Sequence, residues 1–166
     1  MYGISAAIMT YTNEVEIVDY NPSFHKKFKD LNIAWISKKY VVEDVDHEVL
    51  NDPEKFILSK GGCILMAVCK GEAVGTCSLK NKGNGVYELT KMTVDENMRG
   101  LKIGRMLGVA TIEKARLLGA RQVELYSNRA GSAEAILLYY KLGFREIPLD
   151  TQEYQRADIK MVIDFE

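Results

Sequence analysis

The chain has 166 residues, 47% of them hydrophobic and 27% charged, enough for one compact domain with a sizeable core and little room for a second. Its 22 basic and 23 acidic residues leave a net charge of -1, so there is no global basic field of the kind that draws proteins onto nucleic acid or anionic membrane. Any anion site must be local.

The first dozen residues lack the basic start of a secretion signal, and no later stretch approaches the roughly 20 apolar residues of a membrane span. A cytoplasmic protein forming a single domain over 1–166, with its core from about 14, is expected. Cys63, Cys69 and Cys77 sit in apolar runs without zinc spacing, which suits buried reduced thiols and no metal.

In chain order, 14–20 alternates as a strand, and Asn21-Pro22 opens a helix whose apolar stripe is Phe24, Phe28, Leu31 and Trp35. Trp35 belongs either to the core or to a substrate wall. Broken helical signals fill 41–60. The run CILMAVC over 63–69 is apolar on both faces and pairs, through Lys70-Gly71-Glu72, with a strand over 73–80, as in a covered sheet. A Gly/Asn-rich turn at 81–85 leads to a strand over 86–95. Then follow a helix over about 104–118, a strand over 122–127, a helix over about 132–142 and a final alternating strand over 159–165. The order implies a mixed α/β sheet with helices on its faces.

One segment carries chemistry by itself. The strand ending Met92-Thr93-Val94 runs through Asp95-Glu96-Asn97-Met98 into Arg99-Gly100-Leu101-Lys102-Ile103-Gly104-Arg105, which opens the next helix. A strand, a glycine-containing loop and a helix start bring free backbone N–H groups and the positive end of a helix dipole to one point. Arg99, Lys102 and Arg105 add three cations within seven residues, and the whole suits a diphosphate. The spacing fits neither GxGxxG nor GxxxxGK[ST], and the loop follows the fourth strand rather than the first, which argues against a dinucleotide or ATP fold.

This segment resembles the central motif of the GCN5-related N-acetyltransferase (GNAT) superfamily. The residues 128–144 resemble that family's second block, N-x-x-A-I-x-L-Y-x-K-x-G-F, with Ser132 in place of its asparagine and Lys102 in place of its first motif glycine. The resemblance implies a mostly antiparallel sheet of six to seven strands, helices on both faces and a splayed parallel pair at the centre. It also implies acetyl-CoA as co-substrate, contacted by Met92, Thr93, Val94, Arg99, Gly100, Leu101, Lys102, Ile103, Gly104, Arg105, Asn128, Ser132 and Tyr139.

The activity implied is N-acetylation of a primary amine on a small molecule or peptide by direct attack in a ternary complex. Tyr139 occupies the position of the family's tyrosine, the proton donor to the departing thiolate, with Tyr140 as competitor only if the register slips by one. An amine with a pKa near about 10.4 must lose a proton before it attacks, and Glu88, on the strand of the cofactor contacts, is the candidate base, directly or through water. His25 and His47 lie outside the motifs and read as surface or packing residues. The competing reading is a non-catalytic acyl-CoA-binding regulatory module, which Glu88 and Tyr139 together disfavour. The acceptor is chosen by the least regular parts, 35–46 and 149–156, where Tyr40, Glu43, Asp44, Glu153, Tyr154 and Arg156 permit several amines. A homodimer is possible.

Overall fold

The structure is a computed structural model that describes residues 14–98, 100–150 and 153–166. Among the described residues, seven strands form one sheet in the order β1-β2-β3-β4-β5-β7-β6. They are β1 (Val15–Asp19), β2 (Cys63–Cys69), β3 (Glu72–Gly83), β4 (Val86–Val94), β5 (Gln122–Ser127), β6 (Arg145–Ile147) and β7 (Ile159–Asp164). All neighbours are antiparallel except β4 and β5, which run parallel at the centre. Two-residue turns, Lys70-Gly71 and Asn84-Gly85, join β2, β3 and β4; all four residues have positive φ, which matches the right-handed twist of the hairpins.

The helices are α1 (His25–Ser37), α2 (Asp44–Asn51), the single turn α3 (Pro53–Phe56), α4 (Ile103–Leu117) and α5 (Ala133–Leu142). They divide between the two faces, and β2 shows how the sequence arranges this. Its Cys63, Leu65, Ala67 and Cys69 enter one core with Ile103, Leu107 and Ala115 of α4 and Ile136 and Tyr139 of α5. Its alternate residues Ile64 and Met66 enter a second core with Phe28 of α1 and Val49 and Leu50 of α2. A strand apolar on both sides is what a sheet covered on both faces needs. On α1 the buried residues are Phe28, Asn32 and Ile36. Trp35 is half-buried, with its ring 6.0 Å from that of Tyr40.

Candidate active site

The site begins where the parallel pair comes apart. The β4–β5 ladder holds only Val86, Tyr87 and Glu88 against Gln122, Val123 and Glu124, although β4 runs on to Val94 and β5 to Ser127. On the β3 side, Thr76 faces Thr93 and Ser78 faces Thr90, so Cys77 alone opposes Lys91 and Met92. That is a β-bulge, with Lys91 at φ 53°, and a bulge bends its strand and increases local twist. β4 therefore leaves β5 after Glu88, and its edge from Leu89 to Val94 lines a cavity of about 750 Å³.

The loop after β4 forms one end of this cavity. Lys102 is the N-cap of α4, with φ 59° and ψ 28°, and no side chain caps the helix, so its first amides are left for an outside acceptor. The left-handed backbone explains why a glycine suits this position, and the exposed Lys102 side chain keeps its charge at the surface. Gly100, Lys102, Ile103 and Gly104 line the cavity; Leu101, 49% exposed, and the exposed Arg105 do not. Arg99 lies outside the described residues.

Across the seam, Asn128, Ser132 and Tyr139 line the cavity opposite Met92, Thr93 and Val94. The Asn128 amide is engaged within the protein. Its Oδ1 accepts from the Gly131 N–H at 2.9 Å and the Tyr40 hydroxyl at 3.2 Å, and its Nδ2 donates to the Arg156 carbonyl at 2.9 Å. A β-carbon on Gly131 would come 1.5 Å from the Tyr40 hydroxyl oxygen, so any larger residue there has to displace the Tyr40 ring. Ser132 is the N-cap residue of α5. Tyr139 is buried, and its hydroxyl reaches the Met92 sulfur at 4.0 Å. Burial, with Cys77 close by, pushes its pKa up, so it holds its proton. Tyr140 faces outward, 47% exposed, and does not line the cavity, whereas Tyr139 does.

Glu88 sits at the closed end of the seam. Its neighbours Tyr87 and Leu89 enter the α4-side core, which turns Glu88 to the opposite face, where it is 1% exposed. Its Oε2 accepts from the Tyr154 hydroxyl at 2.9 Å, while Oε1 is buried without a hydrogen-bond partner, 3.5 Å from Lys82 Nζ. Burial, then the charge of Glu153, raise its pKa, and Lys82, the Tyr154 hydrogen bond and Lys91 offset this only in part.

The wall beside it is held by residues that no motif singles out. Asp46, fully buried on α2, accepts from Lys91 Nζ at 2.6 Å and from Arg156 at 2.7 and 2.9 Å; Arg156 also bonds Glu43 at 2.9 Å. Burial works against the Asp46 carboxylate, but the Arg156 hydrogen bonds and the charge of Lys91 outweigh it and hold the group well below the usual range. The one local signal is Lys91 itself, a cation inside an apolar strand, which requires a buried partner. Trp35, Tyr40, Tyr126, Tyr154 and Arg156 complete the wall.

The three cysteines are buried and none lines the cavity. Burial pushes the Cys63 thiol up to about 11 and the Cys77 thiol up to about 12. His25 Nε2 lies 3.0 Å from the Leu50 carbonyl oxygen, a packing role, and His47 is exposed. Among the described residues no helix is long and apolar enough to cross a membrane.

The profile of the acetyltransferase (GNAT) family matches residues 24–144. N-acetylaspartate synthetase of Danio rerio is 31% identical over 125 residues, covering 72% of this chain and 44% of the synthetase, so the chain spans less than half of that relative's length. A GNAT-family acetyltransferase of Staphylococcus aureus superposes with a TM-score of 0.82 at 23% identity, over 92% of this chain and 99% of its own. A Bacillus subtilis acetyltransferase in complex with CoA does so at 0.67 and 19%, over 92% and 99%. The split parallel pair, the glycine-bearing turn onto α4 and the breadth of the profile match lead to one conclusion: the chain belongs to the GNAT family of acetyltransferases.

Proposed function

We propose that the protein is an acetyl-CoA-dependent N-acetyltransferase that moves an acetyl group to a primary amine of a small molecule or peptide by direct attack in a ternary complex. The observation that carries this reading is the opened β4–β5 seam, with Glu88 at its closed end and the Tyr139 hydroxyl beside Met92.

The residues present fit the co-substrate. The β4 edge released by the bulge offers backbone donors and acceptors to an extended amide-bearing arm, in the manner of an added strand. The uncapped start of α4, with Gly100, Leu101, Lys102, Ile103, Gly104 and Arg105, suits a pyrophosphate, and Arg99 adds a cation by sequence. When bound, acetyl-CoA supplies an activated acyl group as a thioester. A backbone N–H near Met92 or Thr93 polarises the carbonyl, and Tyr139, which keeps its proton, donates to the departing sulfur. Asn128 holds the β5–α5 loop in place, and Ser132 contacts the co-substrate from the start of α5. Glu88 receives the proton that the amine must lose. The high thiol pKa values of Cys63 and Cys77, away from the cavity, support direct transfer over an acyl-enzyme.

A thiol-release assay with acetyl-CoA across a panel of primary amines tests the proposal. Turnover with at least one amine is expected, and Tyr139→Phe should lower kcat by about 10²-fold with little change in the KM for acetyl-CoA. Tight acetyl-CoA binding without turnover of any amine would leave a regulatory acyl-CoA-binding module instead.

A further inference from the structure

The Glu88 carboxylate is buried at the edge of the cavity whose chemistry it is placed to serve. Its Oε1 is buried, and its Oε2 is occupied by the Tyr154 hydroxyl at 2.9 Å. Tyr154 itself lines the cavity, and its hydroxyl has a second neighbour at 3.4 Å, Thr90 Oγ1 on the freed part of β4. Glu88 borders the same cavity but is 1% exposed, so the phenol that holds its Oε2 offers an amine a proton route to the carboxylate.

We propose that Tyr154 takes the proton from the acceptor amine while handing its own to Glu88; this rests on the N-acetyltransferase reading above. The ammonium N–H bond breaks toward Tyr154 Oη as the Oη–H proton moves to Glu88 Oε2, leaving a neutral amine, a neutral phenol and a protonated carboxyl that returns its proton through Tyr154 once the product has left. The amine nitrogen then bonds the acyl carbon and the carbon–sulfur bond breaks. Its second proton replaces the one that Tyr139 gives to sulfur.

Burial and the Glu88 carboxylate push the Tyr154 hydroxyl well above the usual phenol range, so the two proton transfers are concerted and no phenolate builds up, while two cations stand against the ring. Lys91 Nζ lies 5.2 Å and the Arg156 guanidinium carbon 5.1 Å from the Tyr154 ring centroid, both anchored from behind by the fully buried Asp46. That anchoring gives the Asp46 cluster a purpose beyond holding elements together, since it keeps two positive charges against one ring.

The test compares the best primary alkylamine of the panel with hydroxylamine, which is uncharged at neutral pH and need not be deprotonated before attack. Tyr154→Phe should slow alkylamine acetylation by at least about tenfold and hydroxylamine acetylation by less than about threefold. Using one enzyme preparation for both rates removes any loss of folded protein from the ratio. The double variant Tyr154→Phe/Glu88→Gln should be no more than about twofold slower than Glu88→Gln alone, since both groups lie on one proton path. Equal losses with both nucleophiles, or additive losses in the double variant, would make Tyr154 a structural support and overturn the relay. Wild-type enzyme that acetylates neither nucleophile would overturn the transferase reading itself.

Discussion

At Lys102 the backbone takes a left-handed conformation that costs a residue with a β-carbon about 1 kcal/mol relative to glycine. Lys102→Gly should therefore be more stable than Lys102→Ala by about 1 kcal/mol in urea denaturation, because only the glycine variant relieves the backbone while both lose the cation. Equal stabilities would mean that the turn is held without strain. Glu88 makes the second argument at this scale. Burial and Glu153 push its carboxyl upward against Lys82, Tyr154 and Lys91, and a proton acceptor must be ionised to act. Turnover should rise with pH through a value above the ordinary carboxylate of about 4.3. Glu153→Gln removes a neighbouring negative charge and frees Lys82, which bonds Glu153 at 2.6 Å, to face Glu88 alone. The acid limb of kcat/KM should then move to lower pH; a limb that stays in place would mean another group sets it.

Between elements, Asp46 ties α2 to β4 through Lys91 and to the segment before β7 through Arg156. Asp46→Asn leaves two cations without their counter-charge and should cost about 3–5 kcal/mol at neutral pH. The sign with pH follows from the depressed pKa: the stabilisation is present above the unfolded value of about 3.9 and is lost as pH falls through the folded one. Denaturation curves of wild type and variant should converge on the acid side of about pH 4. This cluster was not legible in the sequence, because its members are 45 and 110 residues apart and no spacing rule joins them. The bulge was hidden as well: Thr90-Lys91-Met92 reads as ordinary strand, and only the pairing of Cys77 against two residues shows the extra one. Strand β6, three residues long, is too short for any alternation to show. What local pattern could carry, it did carry. The two-sided apolar run of β2, the alternation of β7 and the turn onto α4 each follow from residues within one element, and the order of elements then gave the fold class.

As a whole molecule, the sheet is two parts joined by three residue pairs, 86–88 against 122–124, with the cavity where the joint opens. A ligand lying along both freed edges binds the joined, folded form and should raise its stability by mass action. At about 100 times Kd the gain is about 2.7 kcal/mol, which for a chain of this size is a rise in Tm of roughly 5–10 °C. Acetyl-CoA and pantetheine separate the two halves of the proposed site, because pantetheine can occupy the seam but has no pyrophosphate to present to the start of α4. At equal concentration acetyl-CoA should give the larger shift, and the pair Arg99→Ala with Arg105→Ala should bring that shift down toward the one pantetheine gives while leaving the pantetheine shift unchanged. Equal shifts for both ligands in the wild type would place phosphate recognition away from the 99–105 turn. A complete lack of shift with acetyl-CoA would deny the seam its ligand, since a compound that bridges the only ladder between β4 and β5 cannot bind there without holding the two parts of the sheet together.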